Sequence, residues 1–151
     1  MTNSTPGPWD IEEGIADPER FFALLPSLLP SATLFFAEGN AITRDVEDCY
    51  LRFADPGPYI PKRQTLWPRS RLFRCSAEPA FFQALSHLGA RHAAPELLDH
   101  LSIYEGERAL LEWHDAFANA ILLDATLPEA TVACLAESFG CAYGRARFPN
   151  S

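Results

Sequence analysis

From Leu98 to Asp115 the side chains alternate between apolar and polar on two arms that flank Glu105-Gly106-Glu107. Period-two alternation around a glycine-centred turn predicts a β-hairpin. With Tyr104 set opposite Arg108, Leu101, Ile103, Ala109, Leu111 and Trp113 share one face, and His100, Ser102, Tyr104, Arg108, Leu110, Glu112 and His114 share the other. A slip of one residue would bury Glu112 among the hydrophobes, so the pattern opposes it.

Helical spacing appears elsewhere. Asp17-Pro18 opens a short helix, with Asp as N-cap, Phe21, Leu24 and Leu25 on one side, and Pro26 as its stop. Residues 31–37 are apolar and β-prone, and Glu38-Gly39-Asn40 reads as the turn that closes them. Thr43 caps a second helix with Val46, Cys49, Tyr50 and Phe53 as its buried stripe, ended by Asp55-Pro56-Gly57-Pro58. After a Pro-punctuated connection over 56–70, residues 71–76 suit a strand. A third helix runs from Ser76 to about Ala93, with Phe81, Leu85, Leu88 and His92 at helical spacing. Residues 120–125 make a strand after the hairpin, and Thr126-Leu127-Pro128-Glu129 has the form of a capping box. Its helix carries Val132, Leu135 and Phe139 and stops at Gly140, before a last strand over 141–147.

This order predicts one α+β domain over 17–148, a largely antiparallel mixed sheet with about four helices packed mainly on one face. Residues 1–16, rich in Pro and Gly, read as an extended lead-in. The 151 residues suffice for one such core. The start lacks a basic and apolar leader, and no apolar run has the length of a membrane span, so the expected location is the cytoplasm. Cys49, Cys75, Cys134 and Cys141 form no C-x-x-C pair, and in that compartment they are expected to be reduced and largely packed.

Charge narrows the partners. The net charge is −8, with three Lys/Arg against ten Asp/Glu over 1–61 and four against ten over 75–151. Between them lie Lys62, Arg63, Arg69, Arg71 and Arg74 with no acid. Such a body repels phosphate backbones and attracts cationic surfaces, which argues against nucleic acid and for a basic protein partner. The basic stretch from Tyr59 to Arg69 mixes cations with aromatics, yet it is one short segment beside Trp67 and reads as a solvated loop. No glycine-rich phosphate loop is present.

The chemistry-bearing residues concentrate on the hairpin. His100 and Glu112 are cross-strand neighbours in the register above, with His114 one step along. They form the candidate catalytic set of a small metal-dependent or acid–base enzyme. They lack the short spacing of H-E-x-x-H, and a His opposite a Glu is an ordinary surface pair. A hydrolytic triad through His114-Asp115 would need Ser102, Ser86 or a cysteine as nucleophile, with none in a G-x-S-x-G elbow. Adjacent strand residues also point to opposite faces, so Asp115 should not orient His114. His87 falls on the solvent side of the third helix, and His92 at its end has a structural part. No cofactor and no metal is therefore assigned. The alternative is recognition: Tyr104, Glu105, Glu107, Glu112, His114 and Asp115 present an acidic surface on a rigid scaffold.

Two stretches carry a resemblance: Arg91-His92-Ala93-Ala94-Pro95-Glu96-Leu97-Leu98-Asp99-His100-Leu101 and Leu110-Leu111-Glu112-Trp113-His114-Asp115-Ala116-Phe117. They resemble a group of small uncharacterised bacterial proteins with R-H-A-A-P-E…D-H-L…Y followed by L-L-E-W-[HY]-D-A-F. The likeness extends over Leu24 to Tyr143, including Leu66-Trp67-Pro68-Arg69, and implies no catalytic residues. In size, acidity and α+β layout the chain is also similar to immunity proteins of bacterial toxin systems. That likeness implies a non-enzymatic inhibitor whose basic partner is a cognate toxin.

Overall fold

The computed structural model describes residues 6–64 and 70–146. It contains β1 (Trp9–Ile11), α1 (Pro18–Leu28), β2 (Leu34–Gly39), α2 (Arg44–Arg52), β3 (Arg71–Ser76), α3 (Pro79–Gly89) and α4 (Ala94–Leu97). These are followed by β4 (His100–Glu105), β5 (Arg108–Trp113), β6 (Ile121–Leu123), α5 (Glu129–Ser138) and β7 (Tyr143–Arg145). The strands form one sheet in the order β3-β2-β4-β5-β6-β1-β7, and every pairing is antiparallel. The α+β class is therefore as expected, with five helices among the described residues.

One boundary is corrected. Trp9–Ile11 is no lead-in: it lies between β6 and β7, with Trp9 opposite both Leu123 and Arg145. Trp9 and Ile11 are buried, and the Trp9 indole N–H donates to Leu127 O at 2.9 Å. Two buried residues flanking one half-buried residue are too short a signal to separate from a loop.

The helix-covered face of the sheet holds the core. Phe35 and Ala37 of β2 lie opposite Ile103 and Leu101 of β4, which lie opposite Leu111 and Trp113 of β5. Phe22 of α1 and Phe81 and Phe82 of α3 meet Phe35 edge-to-face, and Phe21 of α1 lies tilted over Trp113. Such pairs add about 0.5–1.5 kcal/mol each beyond the area they bury. Asp17 caps α1 by accepting from the Arg20 N–H at 3.2 Å.

Several ends differ from expectation. Pro26 sits inside α1, which runs to Leu28. Pro26 forfeits the N–H that would reach Phe22 O, and the helix continues for less than one further turn, to where Leu29 N–H closes on Leu25 O at 3.1 Å. The third helix stops at Gly89, so His92 is not on it: it lies between α3 and α4, where Nε2 meets Asp45 Oδ2 at 2.7 Å. The box at Thr126 does not form, because the Thr126 hydroxyl and amide both bond to Asp124 and α5 begins at Glu129. Glu96 instead reaches back to the Ala93 N–H, at 2.9 Å. Gly140 does end the last helix, in a left-handed conformation with φ 68°.

No helix among the described residues is long and apolar enough to cross a membrane. The four cysteines are free, with Cys49 and Cys75 buried and Cys134 exposed.

Candidate functional site: a stacked histidine pair at the end of the central hairpin

The hairpin forms, but in another register. Glu105 pairs with Arg108 across Gly106-Glu107, and Gly106 alone of the two takes a positive φ, 62°, as a type II′ turn requires. A two-residue turn by itself shifts the strands by one relative to the three-residue loop expected, which would misalign the hydrophobic faces. A bulge corrects this: Tyr104 pairs with Ala109 while Ile103 pairs with Leu111, leaving Leu110 as the extra residue. Its carbonyl is not lost, since Asp124 N–H donates to it at 2.9 Å. Beyond the bulge the total slide is two residues, which keeps Leu111 and Trp113 on the core face and changes the partners; between bulge and turn Ala109, expected on that face, instead lies opposite Tyr104 on the other.

The expected His100–Glu112 neighbourhood is therefore corrected. Glu112 lies opposite Ser102 and is exposed, while His100 meets His114. Their rings stack with centroids 4.2 Å apart and planes 5° from parallel. His100 is buried and His114 half-exposed.

Asp115 joins the pair, against the strand rule. β5 ends at Trp113, and Asp115 turns back with φ 51°, a left-handed conformation that Asp tolerates better than most residues. Its backbone N–H donates to His100 Nδ1 at 3.0 Å. Its carboxylate places Oδ2 3.4 Å from His114 Nε2 and Oδ1 3.9 Å from His100 Nδ1. The turn is fixed on both sides, by Ala116 N–H to Asp99 O at 2.8 Å and by the Trp113 indole N–H to Asn119 O at 2.9 Å.

Those hydrogen bonds assign protons. An amide N–H aimed at His100 Nδ1 needs a lone pair there, so the ring is the neutral tautomer protonated at Nε2. That edge faces Glu38 Oε2 at 3.7 Å. Burial holds His100 below the usual histidine range, and the neighbouring His114 adds to this, against the opposing pull of Glu38, Asp115 and Asp99.

Glu38 and Gln64 had no visible place in this site from sequence. Glu38 belongs to β2, not to a turn, and is only 1% exposed, opposite His100. Its carboxylate accepts the Gln64 backbone N–H at 3.0 and 3.1 Å. The Gln64 side-chain oxygen in turn takes a short hydrogen bond from His114 Nδ1–H. The segment that carries Gln64 covers the second face of the sheet. Tyr59 and Tyr104 both pack edge-on against Phe36, and Arg74 binds Asp55 and the carbonyl of Pro58. Burial, with Glu38 nearby, raises the Tyr59 hydroxyl well above its usual value. Trp67 and the rest of 65–69 lie outside the described residues.

The remaining sequence candidates divide between surface and interior. Glu105, Glu107 and Glu112 are exposed, Tyr104 is half-buried, and Ser102 is buried beneath the face that Glu112 crosses. His87 is exposed on α3, as expected. Ser86 donates to Glu19 O at 2.8 Å and serves the α1–α3 contact.

Comparisons with protein-family models, with curated proteins and with solved structures find no match to this chain.

Proposed function

We propose that the protein is a cytoplasmic, non-enzymatic binding protein of the inhibitor or immunity type. It engages a basic protein surface, a cognate toxin being the expected partner, through Tyr104, Glu105, Glu107, Glu112, His114 and Asp115. One observation carries the reading: three exposed carboxylates, Glu105, Glu107 and Glu112, share one rigid hairpin without an ion pair among the described residues, whereas several acids elsewhere have one. Asp45 meets His92, Glu47 meets Arg71 at 2.7 Å, and Asp55 meets Arg74 at 3.1 Å. Glu105, Glu107 and Glu112 form no ion pair among the described residues, although Arg108 stands across from Glu105. Arg108 is instead directed to the Thr126 hydroxyl at 3.3 Å.

A stiff ribbon of solvated carboxylates costs little to order on binding and speeds encounter with a cationic partner. The enzymatic alternative built on His100, Glu112 and His114 loses its geometric basis with the change of partner for His100. The test is capture from the source organism, followed by affinity measurement with the captured protein. Replacing Glu105, Glu107 and Glu112 together by Ala should weaken the complex at least about 10-fold and flatten its dependence on salt. An unchanged affinity would remove this surface as the contact.

A further inference from the structure

We propose that His114, Asp115 and His100 bind one divalent first-row transition ion of the Zn2+ type. The ligands would be one nitrogen from each imidazole and the Asp115 carboxylate, with water completing the shell. The site shares His114 and Asp115 with the proposed contact surface, but its test needs only the chain and the ion.

Three donors, two imidazoles and a carboxylate, converge: one ligand atom from each lies within 4.8 Å of the others. Around tetrahedral zinc, ligand atoms 2.0–2.2 Å from the ion sit roughly 3.3 Å from one another. Asp115 Oδ2 stands 3.4 Å from His114 Nε2, close to that spacing, while its Oδ1 stands 3.9 Å from His100 Nδ1, so the three donors need to close up by a modest amount. Two nitrogens and a carboxylate with an open position are a donor set that suits zinc and its neighbours better than magnesium or calcium.

A second observation points to a cation. His114 donates its Nδ1–H to Gln64, which leaves the Nε2 edge facing the Asp115 carboxylate. In the neutral ring that edge is a lone pair, so two acceptors confront each other at 3.4 Å. Either a proton or a metal ion between them removes the repulsion. An outer hydrogen bond that fixes the ring nitrogen remote from the ion is also how metal-bound histidines are held.

The stack itself must open. Parallel rings aim their lone pairs along parallel lines, so an ion cannot lie in the plane of both. His100 is buried and fixed, whereas His114 is 53% exposed and can tilt about its Gln64 contact. His100 Nδ1 would exchange the Asp115 amide for the ion. Uptake therefore separates the rings, which a static pair would not do.

The experiment uses the full chain without an affinity tag, titrated with Co2+ and Zn2+ by calorimetry and, for Co2+, by visible absorption. One equivalent is expected, with ligand-field bands but no thiolate charge-transfer band. His114 ring protons should lose the upfield shift imposed by stacking on His100. His114→Ala and Asp115→Asn, both at exposed positions and checked for folding by circular dichroism, should abolish uptake. Gln64→Leu should weaken it about 10- to 100-fold, the usual cost of losing an outer-shell partner. Glu112→Gln, His87→Ala and Cys134→Ser should leave it unchanged. Absence of uptake, or uptake that survives both His114→Ala and Asp115→Asn, overturns the site. Loss in Glu112→Gln or an unaltered affinity in Gln64→Leu overturns the ligand arrangement.

Discussion

His114 lies flat against His100 at 4.2 Å, and the two meet because a tight turn and a bulge together slide β5 by two residues along β4. Neither device alone would keep Leu111 and Trp113 facing the core. The same slide moves Glu112 away from the imidazoles and lets Asp115, beyond the end of the strand, take its place.

The neutral state of His100 gives a pH dependence with a definite sign. An unfolded histidine takes up its proton near pH 6.5, whereas the folded ring resists below that value. Beneath about 6.5 the unfolded chain binds more protons, so stability is complete above that pH. It declines as pH falls toward the lowered folded value. Urea midpoints between pH 7.5 and 5 should decrease, and His100→Asn, whose side-chain oxygen can still accept the Asp115 N–H, should show a shallower decrease. Equal slopes would mean that other groups carry the effect.

Gly89 is required by the crossing of α3 over α1. A Cβ there would stand 2.9 Å from Glu19 N and 3.1 Å from the Pro18 carbonyl carbon, both backbone atoms that cannot turn aside. Helix propensity alone favours Ala over Gly by about 1 kcal/mol. Overpacking typically costs about 1–3 kcal/mol and prevails here. Gly89→Ala should therefore destabilise the protein in equilibrium denaturation; a stabilised variant would show that α1 can shift.

Trp113 is fully buried, with Phe21 at 4.8 Å, Phe117 at 4.5 Å and a hydrogen bond from its indole to Asn119 O. Trp113→Ala should cost about 3–5 kcal/mol. Trp113→Phe should cost less, retaining the ring but not the bond that pins the 115–119 turn. Because that turn carries Asp115, the Phe variant should also disturb the chemical shifts of His100 and His114.

Thiol reactivity should divide sharply. Burial pushes the Cys75 thiol up to about 12 and raises Cys49 as well, so neither forms thiolate at neutral pH. Cys134 is exposed. A chromogenic disulfide reagent should modify Cys134 first in native protein and reach Cys49 and Cys75 only on unfolding, as peptide mapping would establish. Early modification of Cys75 would place it nearer the surface than the core packing allows.

How far the sequence reaches can be read from particular residues. Periodicity over Val46, Cys49 and Tyr50 located α2, and alternation over 98–115 located the hairpin and placed Leu101, Ile103, Leu111 and Trp113 on one face, but not Ala109. Trp9–Ile11 escaped because three residues hold too little period, and Glu38 escaped because Glu-Gly-Asn has the composition of a turn. Gln64 carries no local signal at all; its contact with His114 spans 50 positions.

Side-chain periodicity determines which surface of a strand is buried, and so the chain itself settled the α+β class, the helix-covered core and the acidic exterior. It is blind to a slide of two residues, which leaves every face unchanged. The turn geometry, the bulge at Leu110 and the left-handed Asp115 therefore decided which imidazole meets which carboxylate. Those depend on backbone hydrogen bonds with Asp99 and Asp124 and on the Trp113 indole bond to Asn119 O, and only the folded sheet supplies them.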